Sequence, residues 1–434
     1  MAERRVVITG LGPVSPIGVG KDQFLASLRS GRVAVDGIRA FDAAEFPCRI
    51  AGEIAEFSCK DYVPKSYRKS IKVMARDIEL AVVAADCAVR DSGLKTKGVS
   101  DGEITVDSTR LGVNIGAGLI CPDLNELTFA LASASNDGQF SLEAWGREGM
   151  NNLTPLWLLK YLPNMLACHV SIIHDAQAPS NTITCAEASS QLAIGEAWRT
   201  IKRDCADVCL CGGAESKVNP MGLLRQDLIG RLTRSHNDSP ASAVRPFDAK
   251  RDGTVIAEGG AVVVLEDLEH AKRREGRIYG EMIGLGAGFG THDFLNPDRN
   301  GDALAVVLEK ALADAQVEAC DVDLVVAFAC GLPEHDRVEA QAIARVLGDV
   351  PVTSIKSHYG NNGAGSGALD VAAAALCLSE GFVPGTVNCE QVDPACPVNV
   401  VRRTEDRRVN TLLTVNYSLS GGQCTALVFR RWAG

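Results

Sequence analysis

The stretch Asn181-Thr182-Ile183-Thr184-Cys185-Ala186-Glu187-Ala188-Ser189-Ser190, continued by Gln191-Leu192-Ala193-Ile194-Gly195-Glu196-Ala197, decides how the rest of the chain is read. Its β-branched run, Thr182 to Thr184, predicts a strand, and the small residues after it predict the start of a helix. A strand that turns tightly into a helix N-terminus is one way folds present a nucleophile. The unpaired N–H groups and the helix dipole stabilise negative charge there. The context points to acyl chemistry. At the turn itself, however, stands Glu187, a carboxylate in place of a thiol.

Working outward, 434 residues are enough for a large core, and length alone suggests two or three domains. A hydrophobic share of 46%, 42 glycines and only 5% aromatics favour an α/β protein with many tight turns. The formal charge of −10 argues against nucleic acid or an anionic membrane as the main partner. The fifteen cysteines are scattered, the start Met-Ala-Glu-Arg-Arg reads as no signal peptide, and no apolar run approaches a membrane span. A cytoplasmic protein with reduced core thiols is the expectation.

Arg5–Gly12 is a strand ending in glycines. Pro13, Ser15 and Pro16 break the strand–turn–helix that a dinucleotide loop would need. Ser66–Ser92 reads as one long amphipathic helix closed by Gly93, with Lys65, Arg68, Lys69, Lys72 and Arg76 as a basic face. That face is either simply solvated or meets an acidic protein. Cys209-Leu210-Cys211 lies in a buried strand, where alternating core thiols outweigh a metal pair that has no second pair of ligands. The later part repeats the earlier in outline. Met282–Gly286 echoes Val7–Gly12, and the strand Leu324–Phe328 runs into Ala329-Cys330-Gly331-Leu332-Pro333 much as the Glu187 strand runs into its turn. The expected organisation is two βαβ-rich halves, 1–265 and 266–434, packed as one core.

Several further stretches carry a resemblance. They are Val7–Gly12 with Pro16-Ile17-Gly18, Asn164-Met165-Leu166-Ala167, Gly212-Gly213-Ala214-Glu215, Arg245-Pro246-Phe247-Asp248, Arg251-Asp252-Gly253 and Glu258-Gly259-Gly260. In this order and spacing the chain resembles the β-ketoacyl synthase family of the thiolase fold over essentially its whole length. The resemblance implies an α/β, duplicated αβαβα layered architecture, a dimer, and acyl chains carried on an acyl carrier protein. The family's chemistry uses a Cys nucleophile and two histidines, which assist decarboxylation and stabilise the enolate oxygen. Carried over residue by residue, the nucleophile position falls on Glu187. The first histidine falls on Phe328, the two pantetheine-binding threonines on Cys330 and Leu332, and the second histidine on Asn361. Lys356 of Lys356-Ser357-His358-Tyr359-Gly360 is retained, as is Glu258. The C-terminal glycine-rich motif is reduced to Ser420-Gly421-Gly422-Gln423-Cys424.

So many changes together imply lost condensation chemistry, and no catalytic residue is expected. The pattern is similar to the chain-length factor, or ketosynthase-β subunit, of type II polyketide synthases, which typically carries Gln where this chain has Glu187. The resemblance implies a heterodimer with an active ketosynthase-α subunit, and a shared tunnel whose side-chain bulk limits the polyketide. Leu156 and Trp157, before Asn164, are candidates for that interface. The acyl carrier protein with its phosphopantetheine-bound chain is expected to dock through the partner, unless the Lys65–Arg76 face serves. Two other readings stand beside this one: a self-sufficient acyltransferase or malonyl decarboxylase using Glu187 or Cys185, and a non-catalytic scaffold. Neither cofactor nor metal is expected, since His169, His174, His236, His270, His292 and His335 show no ligand spacing.

Overall fold

The computed structural model describes residues 4–434 except 56, 292 and 294, so His292 and the first three residues lie outside the described residues. The strands and helices that build its main sheet and position the site include β1 (Val6–Ser15), α1 (Arg76–Ser92), β2 (Leu111–Ala117), β3 (Ser180–Ile183), α2 (Ser189–Lys202), β4 (Val208–Ser216) and β5 (Ile256–Asp267), then β6 (Gly280–Phe289), α3 (Asp302–Ala315), β7 (Leu324–Val326) and α4 (Pro333–Leu347). They continue with β8 (Pro351–Thr353), α5 (Ser366–Glu380), β9 (Asn399–Val400), β10 (Thr411–Tyr417) and β11 (Gln423–Arg430). The main sheet runs β9-β8-β7-β10-β11-β6-β1-β5-β4-β2-β3.

The pairing pattern is duplicated. β1 is antiparallel to β5 and β5 to β4, whereas β2 and β3 continue the sheet in parallel. From β6 outward, β11 and β10 are antiparallel and β7 and β8 parallel, in the same succession. β1 and β6 join the two sets. Because strand side chains alternate, each set feeds two cores. Val263 and Leu265 of β5, with Cys209 and Cys211 of β4, face a central layer that also holds Ile194 of α2 and the apolar run of α5. Val262, Val264, Val208 and Leu210 turn outward to α1. On the other set, Leu413, Val415 and Val428 pack against α3 and α4. Helix, sheet, helix, sheet and helix thus stack in five layers, and the β4 cysteines are core thiols. α5 is buried on nearly every side, consistent with its run of alanines in the central layer.

Two readings are corrected. The segment Lys65–Val73 is 3₁₀ turns, and the α-helix begins only at Arg76, because Met74 and Ala75 are extended. The basic stretch buries no residue, so nothing holds it in the α-helix that follows. The counterpart of the Glu187 turn is also elsewhere. β7 matches β2, so the turn at 329–333 corresponds to the one after β2. The counterpart of the Glu187 turn lies between β8 and α5, at Gly363–Gly365. No described helix is long and apolar enough to cross a membrane.

Candidate functional site

β3 leads through Cys185 into a 3₁₀ turn, Ala186–Ala188, and on into α2. Ala186 has φ +48°, a left-handed conformation that costs a residue with a Cβ, so the turn is strained and held from outside. The Cys185 amide donates to Ser189 Oγ (2.8 Å). The hydroxyl of Ser189 in turn donates to the Ala186 carbonyl (2.6 Å). Gly116 of β2 passes so close that a Cβ would lie 2.4 Å from the Ser190 nitrogen. The elbow predicted from Thr182–Ser190 is present.

The Glu187 carboxylate is buried and points away from the amides of its own helix. Oε1 accepts from Lys217 Nζ (2.9 Å) and Asn361 Nδ2 (3.3 Å), and Oε2 accepts from the Leu419 amide (3.1 Å). Partners brought in from other segments, not the amides of its own helix, satisfy it. Burial by itself would raise its pKa. The Lys217 charge and hydrogen bond, Arg231 and the Leu419 amide outweigh that and bring it down to about 2. These partners hold Glu187 in its ionised form. Glu215 lies beside Lys217 and accepts from the Ala364 amide (2.7 Å). A Cβ at Gly363 would sit 2.0 Å from its Oε2, so only glycine fits there.

Phe328 is fully buried, with its ring 5.0 Å from the Tyr417 ring and 5.2 Å from Lys356 Nζ. Its amide and that of Ala329 donate to Glu339 (2.8 Å each), and the Cys330 and Gly331 amides donate to Asp336 (3.1 Å each). Lys356 is held by both oxygens of Asp370, and neither side chain is exposed. Leu332 is the N-cap residue of α4. The sequence-derived positions thus form two pairs, Glu187 with Asn361 and Phe328 with Lys356. Cys330 is near enough to the Glu187 and Lys356 charges for both to act on its thiol, which burial pushes far up.

Chemically, a carboxylate stands at the elbow, the aromatic ring of Phe328 offers no hydrogen-bond donor, and Asn361 gives its side-chain donor to Glu187. Cys185 is half-buried, less enclosed than a core thiol, and burial alone raises its pKa. Leu156 and Trp157 do not line the cleft of about 640 Å³ above Glu187, which is bounded by Ala117, Leu119, Pro163, Leu228, Arg225 and Ser420, among others. Leu156 is 61% exposed, and the Trp157 ring packs against Tyr161 (5.0 Å). Lys217, Arg231, Glu215 and Leu419 were not foreseen. A buried acid at the elbow requires a cation, so the sequence signals that a basic residue stands near Glu187 without saying which one.

The raised acids give a pH signature. Burial, reinforced by Asp336, lifts Glu339 from 4.5 to about 8. Between those values the folded state holds a proton that the unfolded state has lost, so stability falls as pH rises from 4.5 to 8. Glu339→Gln is expected to flatten that fall by up to about 1.4 kcal/mol per pH unit, read from denaturation midpoints across the range. An unchanged slope would show that Glu339 is ionised.

A duplicated sheet in five layers, with an elbow entering the central helix, defines the thiolase fold. The model of the β-ketoacyl synthase N-terminal domain matches residues 3–271, and that of the C-terminal domain residues 279–390. The tetracenomycin polyketide synthase ketoacyl synthase alpha subunit of Streptomyces glaucescens is 33% identical, covering 99% of this chain and 98% of its own length. Among solved structures, a β-ketoacyl synthase from Burkholderia phymatum aligns with TM-score 0.86 and 30% identity, covering 99% of this chain and all of its own. The ishigamide ketosynthase/chain length factor aligns with TM-score 0.85 and 28% identity over the whole of both chains. The chain belongs to the β-ketoacyl synthase family.

Proposed function

We propose that this chain is a chain-length-factor-like subunit: it pairs with a catalytically complete ketosynthase, helps to form the polyketide tunnel and limits chain length, and does not itself condense acyl units. The observation that carries the reading is the state of Glu187. It occupies the nucleophile position as a buried anion bound to Lys217. It has no thiol to acylate, and its lone pairs are directed at cations and amides. The likeness to the ishigamide ketosynthase/chain length factor supports the reading. So does a run of exposed apolar residues, with Leu119 65%, Phe129 74% and Leu142 75% exposed. A surface of this kind favours burial against a partner. The acyl carrier protein is expected to meet mainly the partner. On this chain, Lys65, Arg68, Lys69 and Lys72 are exposed, with no acidic side-chain partner among the described residues, and form the cationic face suited to an acidic carrier.

Co-expression with a ketosynthase encoded nearby, followed by size-exclusion and native mass measurement, tests the pairing. A one-to-one heterodimer is expected. A homodimer that condenses acyl units by itself would overturn the proposal. Trp157 does not line this chain's own cleft, so the gate reading requires that it face a tunnel shared with the partner; within the heterodimer Trp157→Ala is then expected to lengthen the product, because removing bulk at the end of a tunnel admits further two-carbon units. Unchanged product length would remove Trp157 as the gate.

A further inference from the structure

The hairpin loop 418–422 between β10 and β11 contains two consecutive glycines, Gly421 and Gly422, the second with φ +78°. Its base is held within its own half, by the Ser418 amide on the Gln423 carbonyl and the Gly290 amide on the Gly422 carbonyl (2.8 Å each). Its tip is held from the other half of the molecule. Glu187 Oε2 accepts from the Leu419 amide at 3.1 Å. Arg231 Nη2 donates to the Leu419 carbonyl at 2.7 Å and to Ser420 Oγ at 2.8 Å. Both polar groups of the Leu419 peptide are thus gripped by buried, oppositely charged side chains, and Ser420 forms part of the wall of the cleft above Glu187.

We infer that Glu187 and Arg231 form a latch that fastens the 418–422 loop beside the elbow, so that this wall of the cleft cannot move aside to make room for an acyl thioester. Glu187 is fixed for the task by Lys217 and Asn361, so the carboxylate in the nucleophile's place spans the two halves of the fold. Without these anchors the tip is held only by the buried Leu419 side chain, and the two glycines beside it have the backbone freedom to open. Charge-assisted bonds of this kind are roughly twice as strong as neutral ones, and their loss shows first as local opening. The advantage to the complex, that carrier-bound chains react only at the partner, rests on the proposed function. The latch itself does not.

Hydrogen exchange of the intact heterodimer, followed by mass spectrometry on this chain's peptides, tests it. Glu187→Gln replaces the anion with a neutral amide, and Arg231→Gln removes the other arm should the first variant fail to assemble. In either variant, exchange at Leu419 and Ser420 is expected to rise roughly tenfold or more, with β4 (Val208–Ser216) unchanged. Exchange at the loop within about twofold of the parent, or a rise shared equally by β4, would overturn the latch. Because the readout is exchange and not turnover, it separates failure of the latch from failure of the proposed function, which would show as acyl transfer on this chain.

Discussion

A Lys217→Met chain is expected to lose about 3–5 kcal/mol of stability, measured by chemical denaturation of the complex at neutral pH. Lys217 is 9% exposed at its side chain and Glu187 2%, and their ion pair at 2.9 Å is the largest favourable contribution to keeping Glu187 ionised. Removing one partner strands a charge in a low-dielectric interior, which costs far more than the net value of the pair. Arg231 and the Leu419 amide remain and blunt the loss. The pH dependence provides a second readout. The folded pKa of Glu187, about 2, is depressed from 4.5, so its contribution to stability is present above pH 4.5 and is lost as pH falls towards 2. In the variant that acid-range loss should disappear. Replacing both partners, Lys217→Met with Glu187→Leu, should recover most of the stability, because two apolar groups leave no charge unpaired. A loss below about 1 kcal/mol in the single variant would mean that the pair is solvated.

Phe328→Ala is expected to cost a similar amount, about 3–5 kcal/mol, because the ring is fully buried against Tyr417 and its removal leaves a cavity beside the Lys356–Asp370 pair. Part of the loss comes from the cation–π contact with Lys356, a smaller contribution of about 1–2 kcal/mol at a desolvated site. Phe328→Leu retains most of the volume and should cost less than half as much. Equal losses in the two variants would show that the aromatic face, and not the filled space, is what stabilises.

The elbow is legible because its causes are local: β-branched residues before the turn and small residues after it. The positions that align with the family's catalytic set follow from motif order, since Phe328, Asn361 and Lys356 sit in stretches that keep their spacing. What holds Glu187 is not legible in this way. Lys217 is 30 residues away along the chain and the Leu419 amide 232, and no periodicity links positions so far apart. The basic run at 65–76 was read as helical because its apolar neighbours fall at helical spacing. Spacing does not register that Met74 and Ala75 are extended. Likewise the turn at 329–333 follows a strand just as the Glu187 turn does. Only the strand pairing reveals that β7 matches β2, not β3.

The same long-range contacts explain why the anion at the elbow persists. Glu187 completes a cross-linked unit in which β3, the segment after β4, the Asn361 loop and the β10–β11 hairpin meet. A thiol there, shorter and a weak acceptor with one atom in place of two oxygens, would not bridge Lys217 and the Leu419 amide.

The most direct test of the account is to incubate the purified heterodimer with an acyl thioester of the carrier protein and weigh both subunits intact. The account predicts that the ketosynthase partner gains one acyl group and that this chain's mass is unchanged. A covalent acyl adduct on this chain, mapped to Cys185 or to any other residue of the cleft, would contradict it.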